Sequence, residues 1–423
     1  MSRRRVVITG LGLVTPIGCG RDPFWDSLRH GRSGVRRIQS FDPSALPTQF
    51  GGEVGGFDAK DYLEKKHRKR LNMMVRSIQF AVAGARLAAD DAHLEQEQVD
   101  PTRFGVEFGA AVIPSELGEL AAAARASANG RPGWVDLERW GELGIPLIPP
   151  MWMLNHVPNM MACHVSILHN AQGPNNTITQ SDVASLLATG EAYRIIGRDR
   201  ADVFLAGGAD TKINPISLVR HCLFGPLSRR NDAPEKACRP FDRGRDGLVL
   251  GEGAGVLVLE EREHARHRRA KIYAEIAGFG AAFDRDQTGR GLARAISAAL
   301  AEAGVGPEDI DHVNAHGIST TAGDTWEAEV IRETLGYGRS PLPVFAPKSY
   351  FGNLGAGSAV AELAASLLAL EFGTIPPTLN YEIPDAACPV TVAQTFHSVT
   401  RPYILKISLT ELGQCAAILV RGP

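Results

Sequence analysis

VVITGLGLV, residues 6–14, reads as a buried β-strand running into a glycine loop. IYAEIAGFGAAF, residues 272–283, reads the same way, an apolar run ending in G-x-G. Each is followed by helical patterns and further strands. SIQFAVAGARLAADDA (77–92), GLARAISAALAEAG (291–304) and AELAASLLALEFG (361–373) carry helical spacing, while ADVFLAGGAD (201–210), GVLVLEE (255–261), IDHVNAHG (310–317) and CAAILV (415–420) are strand-like. That alternation predicts α/β layers, and the echo between the two G-x-G strands points to a duplicated half. Basic residues precede the first apolar run, as in a signal peptide, but Gly10, Gly12 and Pro16 interrupt it and no small-x-small cleavage site follows.

Composition narrows the function classes. The chain has 423 residues, 44% hydrophobic and 22% charged, and its net charge of −2 supplies no global field for nucleic acid. Cys19, Cys163, Cys222, Cys238, Cys388 and Cys415 are scattered without C-x-x-C spacing, which suits reduced thiols in the cytoplasm better than a zinc site or a disulfide scaffold. No stretch approaches the ~20 apolar residues that span a bilayer, so no membrane role is expected.

GPNNTITQSDVASLLATGEAYRI (173–195) has the layout of a nucleophile elbow: a Gly-Pro turn, a β-leaning run, a tight bend at Gln180-Ser181-Asp182, then an amphipathic helix. The bend holds a carboxylate and no thiol. Residues 130–159, rich in Pro and Trp, and 228–247, rich in Arg and Pro, look like long irregular segments of the kind that line sites or interfaces. GEGAG (251–255) lacks the Lys-Ser/Thr ending of a phosphate loop and reads as close backbone packing.

Four motifs in one order carry a resemblance: FDRGRDGLVLGEGAGVLVLEE (241–261), KIYAEIAGFG (271–280), VNAHGISTTAGD (313–324) and PKSYFGNLGAGSAVAEL (347–363). From Val6 to about Leu419 the chain resembles the elongating β-ketoacyl-acyl-carrier-protein synthases of the thiolase fold. The resemblance implies two similar α/β halves, placed at 1–260 and 261–423, in a five-layered α-β-α-β-α core, and a dimer with its sites near the interface. In that family an elbow cysteine takes an acyl group from the phosphopantetheine arm of an acyl carrier protein, and two histidines help decarboxylate the malonyl extender. A thiolate at a helix N-terminus, backbone N–H donors to the oxyanion and neutral imidazoles suit that chemistry.

Carried onto this sequence, the nucleophile position falls on Asp182. His316 matches the first histidine, and the second falls on Asn353. Lys348 and Glu327 stand where the family keeps a supporting lysine and a glutamate expected to pair with it. Of two threonines that meet the pantetheine amide, Ile318 replaces one and Thr320 keeps the other. The gating phenylalanine falls on Glu411, which is expected to face a dry acyl cavity and to share a proton with Asp182.

A carboxylate is a poor thioester nucleophile, and these departures together imply something other than standard condensation. The resemblance extends to chain-length factors, relatives that lack the elbow cysteine and pair with an active ketosynthase. The expected role is therefore a non-elongating partner, with acyl carrier protein and either a homodimer or a heterodimer with a Cys-bearing ketosynthase. The alternatives are an enzyme using Asp182, His316 and Asn353 for decarboxylation, hydrolysis or non-covalent acyl transfer, and a silent homodimer that binds acyl chains or carrier. Asp182 also has a plain structural reading, a helix-start acid stabilised by the dipole. The basic run KKHRKR (65–70) is a solvated face or a docking patch for the acidic carrier.

Overall fold

In the structure, a computed structural model that describes residues 4–286, 288–336 and 342–423, the opening motif is the strand Val6–Thr15, buried at every position. Its neighbours in order are Glu252–Glu261, Val203–Thr211, Phe104–Ala110 and Asn175–Thr179. The first two pairings are antiparallel and the next two parallel. The second half repeats that order and those directions with Ala274–Phe283, Gln414–Arg421, Tyr403–Leu409, Ile310–Asn314 and Pro343–Phe345. The two G-x-G strands occupy equivalent places, and the halves join where Val7 and Ile8 pair with Glu275 and Ala274. The echo in sequence is a duplication of architecture.

Helices fill three layers around these strands. Arg76–Asp91 and Met160–His169 cover the outer face of the first half, and Arg290–Ala303 with Thr321–Leu335 covers that of the second. Between the halves lie Ala184–Gly197 and Ser358–Phe372, in contact with each other and with strands of both. Ser358–Phe372 is mostly apolar and is buried from Ser358 through Ala369, as a central-layer helix must be, with Glu362 its one buried charge. The stretch Gly355–Phe372 is long and apolar enough to cross a membrane, but 83% of it is inside the core.

Glycine lets the central helices sit directly on the sheets. A Cβ at Gly109 would stand 2.3 Å from the Ser185 nitrogen, so any side chain there would push the elbow helix off its strand. The two irregular segments behave differently from each other. Residues 130–159 form short helical turns that leave Trp134, Leu137, Ile145, Leu147, Met153 and Leu154 exposed. Residues 228–247 instead tuck in: buried Arg239 donates to Asp242 at 2.9 Å, and buried Arg245 to Asp385 at 2.6 Å. GEGAG lies at the start of the strand Glu252–Glu261, as close backbone packing.

Candidate active site

The elbow forms where the edge strand Asn175–Thr179 turns into the central helix Ala184–Gly197. Ser181 takes φ 50°, the left-handed region that costs a non-glycine residue about 1 kcal/mol or more, and a short 3₁₀ turn Ser181–Val183 presents Asp182 half-buried. Ser408, on a strand of the second half, donates its hydroxyl to the Asp182 backbone carbonyl at 3.1 Å. Asp182 lies in the first turn at the start of its helix, as the helix-start reading expects, although its carboxylate makes no side-chain cap there. It accepts from Ser181 Oγ at 3.3 Å and from Asn353 Nδ2 at 2.9 Å.

Asn353 comes from the corresponding turn of the second half, before Ser358–Phe372. Its backbone is gripped by the 246–253 stretch, N–H to Val249 O and carbonyl from Gly251 N, both at 2.8 Å. Its side-chain orientation is fixed by chemistry. The Gly355 N–H can only donate and reaches Oδ1 at 3.1 Å, while Ser358 Oγ donates to the same oxygen at 2.9 Å. The amide nitrogen therefore faces Asp182, and the Asp182 oxygen that meets it is an acceptor.

His316 is buried in the turn after Ile310–Asn314. Lys348 Nζ lies 3.1 Å from His316 Nδ1 and 2.8 Å from the His316 carbonyl. An ammonium has no lone pair, so Nδ1 accepts and Nε2 carries the hydrogen. Nε2 is buried without a hydrogen-bond partner among the described residues. Burial, then the positive charges of Lys348 and Lys406, hold His316 well below the ordinary imidazole range, so it is a neutral donor.

The expected Lys348–Glu327 pair is corrected by the structure. Lys348 pairs with Glu362 at 2.6 Å, and buried Lys406 pairs with the other oxygen of Glu362. Glu327 accepts instead from the backbone N–H groups of His316 and Gly317, at 2.6 and 2.8 Å, which fixes the histidine turn. Burial pushes its carboxyl up to about 7. Glu362 went unread in the sequence although it carries a signal: it is the lone carboxylate amid the apolar AELAASLLAL, and a buried charge there requires cations. Lys406 carried the same signal, as the lone charge in the strand-like YILKISL (403–409), and was likewise unread.

Ile318 packs in an apolar cluster with Leu248 and Leu250. Thr320 caps the helix Thr321–Leu335, its oxygen accepting from Gly323 N at 3.2 Å and its hydrogen left to donate. Glu411 is corrected: it is exposed, in the turn between Tyr403–Leu409 and Gln414–Arg421. Cys163 belongs to the helix Met160–His169 and not to the elbow. Burial pushes the thiols of Cys388 and Cys415 up to about 11 and about 12, values of inert thiols.

A duplicated thiolase-like core, an elbow at a central helix and a facing His-Lys pair are now in place, and comparison with known proteins agrees. The β-ketoacyl synthase N-terminal domain model matches residues 3–265 and the C-terminal domain model residues 273–382. The chain belongs to the β-ketoacyl synthase family. It is 38% identical over 396 residues to 3-oxoacyl-[acyl-carrier-protein] synthase 2 of Coxiella burnetii, covering 92% of this chain and 91% of that protein. The ishigamide ketosynthase/chain length factor superposes with a TM-score of 0.87 at 29% identity over all of both chains. A type II PKS acyl-carrier protein in complex with its ketosynthase bound to the hexaketide gives 0.85 at 30% identity, again over all of both chains. Within this member of the family the fold, the elbow and the His316–Lys348 pair stand together with the Asp182 carboxylate at the position where the resemblance puts the thiol.

Proposed function

We propose that this β-ketoacyl synthase relative is a non-elongating, chain-length-factor-like partner of a Cys-bearing ketosynthase in fatty-acid or polyketide biosynthesis, acting beside acyl chains carried on acyl carrier protein. The observation that carries the reading is the 2.9 Å hydrogen bond from Asn353 Nδ2 to Asp182. The two positions that would attack the thioester and polarise the extender satisfy each other. Neither offers a nucleophile, and a fixed anion repels both a malonyl carboxylate and an enolate.

Other features support the same reading. Asn175–Thr179 pairs on one side only, and the unpaired edge with the exposed apolar side chains of residues 117–154 suits a large subunit interface. Lys65, Lys66, Arg68 and Lys69 are exposed on one short helical stretch, Lys65–Met73, a face suited to an acidic carrier. Among solved relatives, the ketosynthase/chain length factor is of this kind. The neutral His316 Nε2 donor favours one other reading, residual decarboxylation by the chain itself.

The test is co-expression with a Cys-bearing ketosynthase encoded beside it, followed by gentle affinity purification of one tagged subunit. Stoichiometric recovery of both chains is expected. Recovery of this chain only as a self-associated dimer would overturn the heterodimer.

A further inference from the structure

Glu107 is the lone charge in the buried strand Phe104–Ala110 and is 0% exposed. Neither of its carboxylate oxygens has a hydrogen-bond partner among the described residues. Phe104, Val106 and Phe108 pack on the outer side of that strand, so Glu107 points the other way, toward the layer of Ala184–Gly197. Its neighbours in register are Ala206, on Val203–Thr211, and Asn176, on the strand Asn175–Thr179 that ends the sheet. Asn176 is exposed, and it lies near enough to favour the Glu107 anion without forming a hydrogen bond. One strand spacing, about 5 Å, separates this orphan carboxyl from an open edge.

A second carboxylate stands over the first. The Ala184–Ser185 backbone lies on Gly109, and the helix runs back along the sheet because it joins parallel strands. Glu107 is two residues down its strand from Gly109, about 7 Å. Glu191 is seven residues down its helix from Ala184, about 10 Å and on the same face, and it is half-buried. Burial first, then the charge of Glu191, pushes the Glu107 carboxyl up to about 7. The cation that follows on this helix, Arg194, is laid over the Phe279 ring of the second half.

We infer that Glu107 and Glu191 make this edge a surface for a chain other than its own, one that carries an arginine or lysine side chain over Asn176, and that they reject a second copy. Pairing two copies across the edge would close water off from both carboxylates of each, and the edge strand, Asn-Asn-Thr-Ile-Thr, supplies no cation to meet them. A guanidinium or ammonium there turns the same burial into attraction and gives the orphan oxygens their donors. The inference rests on the proposed use of this edge by a second subunit, and it names the chemistry that subunit must bring.

Sedimentation equilibrium of the purified chain, at pH 8 and fixed ionic strength, tests the rejection. Glu107→Gln and Glu191→Gln, each nearly isosteric, are expected to strengthen self-association roughly tenfold or more over wild type. Covering the edge with a copy raises the Glu107 carboxyl further, so the self-associated form binds the proton more tightly than the free chain. Wild-type self-association should therefore strengthen from pH 8 to pH 6, and Glu107→Gln should lose that dependence. The heterodimer with a Cys-bearing ketosynthase is expected to weaken roughly threefold or more in Glu107→Gln at pH 8. If Glu107→Gln does not fold, Glu191→Gln decides by the same two measurements. Self-association unchanged by both substitutions, or a heterodimer as tight in Glu107→Gln as in wild type, would overturn the inference, and the latter would leave the proposed heterodimer standing. No heterodimer at all, with self-association released by the substitutions, would sink the proposed function while the edge's rejection of its own copy held.

Discussion

Under the proposed reading a single side chain, Asp182, stands where the family's thiol would, and the departures are not confined to it. Asp182→Cys introduces a sulfur and leaves unchanged Asn353 and Ile318, which the resemblance places at a histidine and a threonine position. Groups that act as a unit are not additive, so this variant is expected to show no elongation above background, while intact mass after incubation with acyl-carrier substrate reports whether the new thiol is acylated. Robust elongation would show that Asn353 serves as well as histidine. Glu327 gives a second test. Its carboxyl is raised by burial from an ordinary value near 4.5 to about 7, so the folded state binds the proton more tightly than the unfolded chain. Stability is then fully present below about pH 4.5 and is lost as pH rises toward 7, by at most about 3 kcal/mol. Glu327→Gln removes this titration. Its stability relative to wild type should rise between pH 5 and pH 7, measured by denaturant unfolding at each pH, and a constant difference across that window would contradict the assignment.

At the scale of elements, the turn before Ser358–Phe372 matters as much as the elbow. Gly355 has a positive φ and no room for a methyl group against Asp210. Gly355→Ala is expected to cost about 1–3 kcal/mol and to loosen Asn353, read as a lowered unfolding midpoint. A neutral effect would mean that the turn relaxes freely. This turn also shows what the sequence could and could not say. The strand-Gly-x-Gly echo was legible because buried parallel and antiparallel strands leave apolar runs bounded by glycine, and the elbow because a strand, a bend and an amphipathic helix each leave a periodic signature. The Lys348–Glu362 pair was not, since a pairing between two buried residues depends on how the helix turns its face, and motif position alone favoured Glu327. Glu411 was misjudged for a related reason: a position at the end of a strand says nothing about whether its side chain meets water.

For the whole molecule, the duplication explains why the altered residues meet. Equivalent central helices begin at equivalent ends of the two halves, so residues 182 and 353, far apart in sequence, face each other across the pseudo-symmetric core. The symmetry breaks at the sheet edges: Pro343–Phe345 is covered by Thr391–Val392, while Asn175–Thr179 ends the sheet and leaves an edge suited to a second subunit under the proposed reading. The central claim is that this subunit contributes shape and partnership while chemistry resides elsewhere. Its most direct test is release of carbon dioxide and formation of extended product from acyl- and malonyl-carrier protein, measured for the purified chain alone, for a Cys-bearing ketosynthase alone and for the two together. The account predicts background for this chain alone and full activity, with a defined product length, only for the pair. Elongation by this chain alone would contradict it.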